Sequence, residues 1–128
     1  MVLIIEGEAT LARLWAELVT RDGFDVHLAA DAREARRQFQ RHVPDLIVLD
    51  AQLPDVSGYA LCQEIRQRGD MRATPLVMIS ACARPVDAKK GLALGADVYL
   101  GKPFCTHDLL GAIRGLIAAR RKGKADND

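Results

Sequence analysis

The chain predicts an α/β fold: a doubly wound parallel sheet of five strands, covered by five helices on its two faces. Three observations carry that expectation. Short, continuous runs of branched apolar residues, such as 2–5, 46–49 and 76–79, read as strands buried on both faces. Between them lie segments whose apolar residues recur at helical spacing. Glycines, prolines and capping residues then punctuate one kind of segment from the next, which gives βα units in series and so a parallel sheet.

Taken in order, residues 2–5 form the first strand. Leu11, Leu14, Trp15, Leu18 and Val19 mark one face of a first helix that Gly23 stops. Residues 25–29 make a weaker second strand. Asp31 caps a second helix through about His42, with Ala35 and Phe39 on its inner face. Pro44 breaks the chain before the third strand, residues 45–50. Ser57 caps a third helix carrying Leu61 and Ile65. Pro75 opens the fourth strand, which ends at Ser80, and a fourth helix over about 86–94 stops at Gly95. Residues 98–100 are the fifth strand. Cys105 or Thr106 begins a last amphipathic helix holding Leu109, Leu110, Ile113, Leu116 and Ile117. Residues 1–122 are thus one domain, and 123–128 read as a polar tail or the start of a linker.

The composition limits what such a domain does. A chain of 128 residues with 49% hydrophobic and 27% charged residues builds one core without disulfides or metal staples. A net charge of +1 creates no global field for nucleic acid or anionic lipid, so direct nucleic-acid binding by this domain and a membrane location are not expected. The apolar stretch at the N-terminus is too short for a signal peptide or a span. Cys62, Cys82 and Cys105 are odd in number and lack metal-ligand spacing, which suits free thiols in a reducing cytoplasm. Cys105 is expected to be a small, semi-buried residue.

The chemistry sits at the strand ends. In a doubly wound sheet, ligands bind outside the carboxyl ends of the strands, where the winding reverses. The polar residues there are Glu6, Asp50, Ser80 and Lys102, one on each of four strand ends. A carboxylate such as Asp50 can accept a phosphoryl group as an acyl phosphate. Phosphoryl transfer is mostly positioning and neutralisation of the equatorial oxygens. Lys102 supplies a point charge for one oxygen, Ser80 a hydroxyl for another, and a Mg²⁺ ion held by carboxylates and a backbone carbonyl would take the third.

These residues, with Leu53-Pro54-Asp55 and Gly58 after Asp50, Gly95-Ala96-Asp97 before the fifth strand and Lys102-Pro103-Phe104 after it, resemble the receiver domains of bacterial two-component response regulators. The likeness runs from Val2 to about Ala119. It implies the CheY-like (flavodoxin-like) strand order 2-1-3-4-5 and a signalling module rather than a turnover enzyme. Asp50 would be the phospho-acceptor, Lys102 the site lysine, Ser80 the hydroxyl of a switch and Tyr99 its rotating aromatic. Glu6, Asp50 and the backbone carbonyl of Gln52 would hold Mg²⁺. A cis Lys102–Pro103 bond is also implied. The implied partners are a histidine kinase or phosphotransfer protein upstream. Downstream, a partner or tethered output domain would meet the face of the fourth helix, fifth strand and fifth helix.

One position departs from that pattern. The family closes its first strand with two acids, and the second stands where this chain has Gly7. Moving Glu8 into the place breaks the spacing to both Gly23 and Asp50. The family's three carboxylates and one lysine become two carboxylates and one lysine, so weak Mg²⁺ binding is expected. Losing even an outer partner of a metal typically costs about 10–100-fold in affinity. Three possibilities stay open: phosphorylation of Asp50 with a weakened metal, replacement of the missing ligand by Glu8, or an atypical receiver that signals by binding alone. A flavin or nucleotide site is disfavoured, because residues 6–10 are acidic and lack a phosphate-cradling glycine pattern.

Overall fold

The computed structural model describes residues 1–127, with side chains described through Gly123. Its elements alternate as the spacing predicts: β1 (Val2–Ile5), α1 (Ala9–Arg21), β2 (Val26–Ala29), α2 (Ala32–Phe39), β3 (Leu46–Asp50), α3 (Gly58–Gln67), β4 (Leu76–Ser80), α4 (Pro85–Ala93), β5 (Val98–Gly101) and α5 (Thr106–Asn127). The five strands are all parallel, in the order β2-β1-β3-β4-β5. This is the CheY-like, flavodoxin-like arrangement.

The continuous apolar strands divide their side chains between two cores, as the pleat requires. Leu3, Ile5, Ile47, Leu49, Leu76 and Met78 point to the face covered by α2 and α3, where Ala35, Phe39, Leu61 and Ile65 meet them. Val2, Ile4, Leu46, Val48, Val77 and Ile79 point to the other, under Trp15 and Val19 of α1 and Leu109, Ile113 and Ile117 of α5. Burial on both faces is why β1, β3 and β4 carry almost no polar residue before their ends.

Local chemistry sets the boundaries. Asp31 and Ser57 cap α2 and α3 through their side chains, as expected. Gly23 and Gly95 follow α1 and α4 with φ of +98° and +120°, where a side chain would be strained. Two helix ends and one cysteine differ from the sequence expectation. Helix α2 ends at Phe39 rather than near His42, because Arg41 and His42 turn back onto the Gln38 carbonyl and Pro44 restricts the residue before it. Helix α5 runs on to Asn127, through most of the segment expected as a tail, and Asp128 lies outside the described residues. Cys105 is exposed rather than semi-buried. Among the described residues, no helix is long and apolar enough to cross a membrane.

Candidate functional site

The sheet register builds the site. Strands β1 and β3 are neighbours with Ile5 opposite Leu49, so the next residues, Glu6 and Asp50, emerge side by side at the carboxyl edge. That edge lies at the reversal of winding, with β2 on one side and β3 to β5 on the other. Both carboxyl groups are nearly enclosed, at 4% and 2% exposure. Lys102 directly follows β5 and is joined to Pro103 by a cis bond, and its backbone N–H donates to the Ser80 carbonyl. Its Nζ donates to Asp50 Oδ2 at 2.8 Å and to Glu6 Oε2 at 3.4 Å. Ser80, at the end of β4, is fully buried. The cleft over these groups is lined by Gly7, Gln52, Leu53 and Pro54 as well. Three of the four strand-end residues singled out in the sequence, Glu6, Asp50 and Lys102, thus line one crevice, and the fourth, Ser80, is buried and bonded to the side chain of Gln52 at its border.

Burial and the neighbouring Asp50 carboxylate make it hard to ionise Glu6, whose pKa is pushed up to about 7 from 4.5. Glu6 therefore takes up a proton far more readily than an ordinary glutamate does. Burial also disfavours the Lys102 ammonium, but its bonds to Asp50 and Glu6 outweigh that and raise its pKa. Two converging carboxylates beside an open cleft fit a Mg²⁺ ion that keeps most of its water. Among the described residues, however, no group of three His, Cys, Asp or Glu side chains forms that could hold a metal.

The two residues beside Glu6 explain why. At Gly7 a β-carbon would lie 3.0 Å from Pro54 Cδ and 3.3 Å from the Ala30 carbonyl, so the β3–α3 loop and the residue after β2 leave little room for a side chain there. The carboxylate of Glu8 is engaged as the N-cap of α1, accepting from the N–H groups of Thr10 and Leu11. Helix α1 starts directly over the site, and Glu8 satisfies its first amides.

The switch candidates lie along the β4 edge. Ser80 Oγ accepts from the side-chain amide of Gln52 at 3.1 Å and from the N–H of Cys82 at 3.0 Å. The Gln52 amide oxygen accepts from the Ala81 N–H. Tyr99 donates its phenolic proton to the Cys82 carbonyl, 2.5 Å away. That proton being spent, the 2.9 Å contact between the Tyr59 and Tyr99 hydroxyls must be donated by Tyr59. The ring of Tyr99 lies against α4 at Gly91, where a β-carbon would fall 2.7 Å from Cδ2. Neither Tyr59 nor the side chain of Gln52 was expected from the sequence. Both sit in loops or first turns, where no periodicity reports on partners; only the place of Tyr59 directly after Gly58 could have hinted at it.

The chain is similar to known proteins over most of its length. The chain is 37% identical over 127 residues, 99% of its length, to the sensory transduction protein RegX3 of Mycolicibacterium smegmatis, covering 53% of that protein. It is 34% identical over 116 residues, 91% of its length, to the phosphate regulon transcriptional regulatory protein PhoB of Rhizobium meliloti, covering 51% of it. The chain spans about half the length of the curated relatives it matches. Among solved structures, the receiver domain of the Francisella response regulator 1452 superposes with a TM-score of 0.88 at 27% identity, over 93% of this chain and 97% of that one. Receiver domains generally bind Mg²⁺ at an acidic pocket and, within response regulators, work with histidine kinases and output domains. The model of the response regulator receiver domain matches residues 2–114, and the chain belongs to that family.

Proposed function

We propose that Asp50 accepts a phosphoryl group from a phosphohistidine on a histidine kinase or phosphotransfer protein, and that Ser80 and Tyr99 relay the change. The observation that carries this is the pairing of Lys102 Nζ with Asp50 Oδ2 at 2.8 Å, beside a buried Ser80 and beneath an open cleft. An Asp50 oxygen attacks phosphorus, the P–N bond to the imidazole breaks, and the imidazole leaves with its electron pair and takes a proton. Lys102 turns from the carboxylate to a phosphoryl oxygen. Mg²⁺, held by Glu6, Asp50 and the Gln52 carbonyl, would neutralise a further oxygen. Ser80 Oγ only accepts in its present bonds, so its own proton would be donated to a phosphoryl oxygen, and rotation toward that oxygen would loosen the Gln52 and Cys82 contacts of the loop between β4 and α4. The signal would then leave by the α4–β5–α5 face. RegX3 and PhoB suggest an output that regulates transcription, through a tethered domain or a separate partner.

The Glu6–Asp50–Lys102 cluster also supports a second reading, a receiver that acts by protein interaction without phosphate. Lys102 already pairs with both buried carboxyl groups without a metal. Incubation with acetyl phosphate or beryllofluoride across a Mg²⁺ series separates the two. We expect weak modification at millimolar-scale Mg²⁺, stronger in Gly7→Asp and absent in Asp50→Ala. An unchanged intact mass and unchanged amide resonances at saturating Mg²⁺ would establish the interaction reading instead. Loss of the weak response in Glu8→Gln would show that Glu8 leaves its cap to serve the metal.

A further inference from the structure

The Lys102 ammonium has three close neighbours, and only two of them are acidic. Asp50 and Glu6 lie on one side of its ammonium. On another lies the ring of Trp15 from α1, with Nζ 5.4 Å from its centroid. That is within the range, about 6 Å, at which a cation is drawn to an aromatic face. The indole is nearly enclosed, at 4% exposure. Phe104, two residues beyond Lys102, packs against it with ring centroids 5.7 Å apart. The lysine and the aromatic that fixes its neighbour therefore belong to one short segment clasping one side chain of α1.

We propose that Trp15 is a positioning residue for phosphoryl transfer, holding the Lys102 ammonium over the acceptor in a site that has one carboxylate fewer than its family. This rests on the phosphorylation of Asp50. A carboxylate can hold a lysine too, but without a metal its charge repels an incoming phosphoryl group. An aromatic face attracts the ammonium without adding a formal negative charge. When phosphorus arrives, Lys102 must release Asp50 Oδ2 and turn to a phosphoryl oxygen. The attraction of the ring persists through that exchange, so the ammonium keeps one fixed wall while its anionic partner changes. The quadrupole adds most where competing water is limited, and here the ring is nearly enclosed and the Lys102 side chain mostly so.

Two substitutions isolate the ring face from the apolar volume: Trp15→Phe keeps a face, and Trp15→Leu keeps only bulk. The Lys102 ε-methylene proton resonances should be displaced upfield by ring current in the native protein. They should return to ordinary values in Trp15→Leu and stay displaced in Trp15→Phe. Beryllofluoride affinity should fall about two- to fivefold in Trp15→Leu and recover most of that loss in Trp15→Phe. Undisplaced methylene resonances in the native protein, or equal affinity in the native and Leu proteins, would overturn the proposal. Should Trp15→Leu fail to fold, the native and Phe resonances still decide it. Should the native protein take up no beryllofluoride at any Mg²⁺ concentration, acceptor chemistry at Asp50 is overturned, and the Lys102 resonances alone decide whether the indole holds the lysine.

Discussion

At the scale of single residues, Gly7 and Glu6 set the character of the site. The backbone at Gly7 does not have the positive φ that only glycine tolerates, so an aspartate is conformationally allowed there. What resists it is Pro54, which must yield by a few tenths of an ångström to admit a β-carbon. Glu6 makes the metal-free protein sensitive to pH. Its pKa is raised from 4.5 to about 7, so the native state binds more protons than the unfolded chain between those values. This contribution to stability is full below about pH 4.5 and is lost as pH rises toward 7, by on the order of 2 kcal/mol. Chemical denaturation of the chelated protein should show that decline, and Glu6→Gln should flatten it. The sequence made Glu6, Asp50, Ser80 and Lys102 legible because each stands at the carboxyl end of an apolar strand, where a doubly wound sheet binds its ligands. It could not show the raised pKa of Glu6 or the nearness of Pro54 to Gly7, since both depend on distances across the cleft.

Among the elements, strands and helices were readable because their periods differ and their caps are chemically distinct. The contacts between loops were not, and Asp55 shows what they contribute. Its carboxylate accepts from the N–H groups of Ala32 and Arg33, at the start of α2, and from its neighbour Val56. Exposed as it is, it ties the loop after the acceptor to a helix more than twenty residues earlier in the chain. Burial opposes the charge, but these amides outweigh it and hold the carboxyl below its usual range. Asp55→Ala should cost about 1–2 kcal/mol, as the loss of an N-cap does. Because the folded-state pKa is depressed, that stability is present above the ordinary carboxylate range and lost as pH falls through it. The difference between native and Asp55→Ala midpoints should therefore shrink in acid. The C-terminal limits of α2 and α5 escaped the sequence for a related reason: Arg, Gln, Ala and Lys extend a helix as readily as they form a polar loop.

At the scale of the whole molecule, the parallel sheet acts as a rigid platform whose carboxyl edge carries both the acceptor and the parts that would move. Ser80 and Tyr99 stand on adjacent strands, and Gln52 spans from the acceptor loop to Ser80. The doubly wound order was legible from continuous apolar runs alternating with helices, because burial of both sheet faces allows few other arrangements. Strand β5 adds one feature that no pattern announces. At Gly101 a β-carbon would fall 2.3 Å from the β-carbon of Ala83, so the β4–α4 loop rests in the space where a side chain would stand. Tyr99, on the same face of the strand two residues earlier, fastens the adjoining Cys82 carbonyl. Gly101→Val should lift Ala83, lengthen the Tyr99–Cys82 bond and move the amide resonances of α4 in unmodified protein; unchanged α4 resonances would refute it. The seat at Gly101 is then a baseline adjustment. It would fix how far the output surface stands from its signalling form before any signal arrives, and mutation could reset that level while leaving Asp50 and Lys102 untouched.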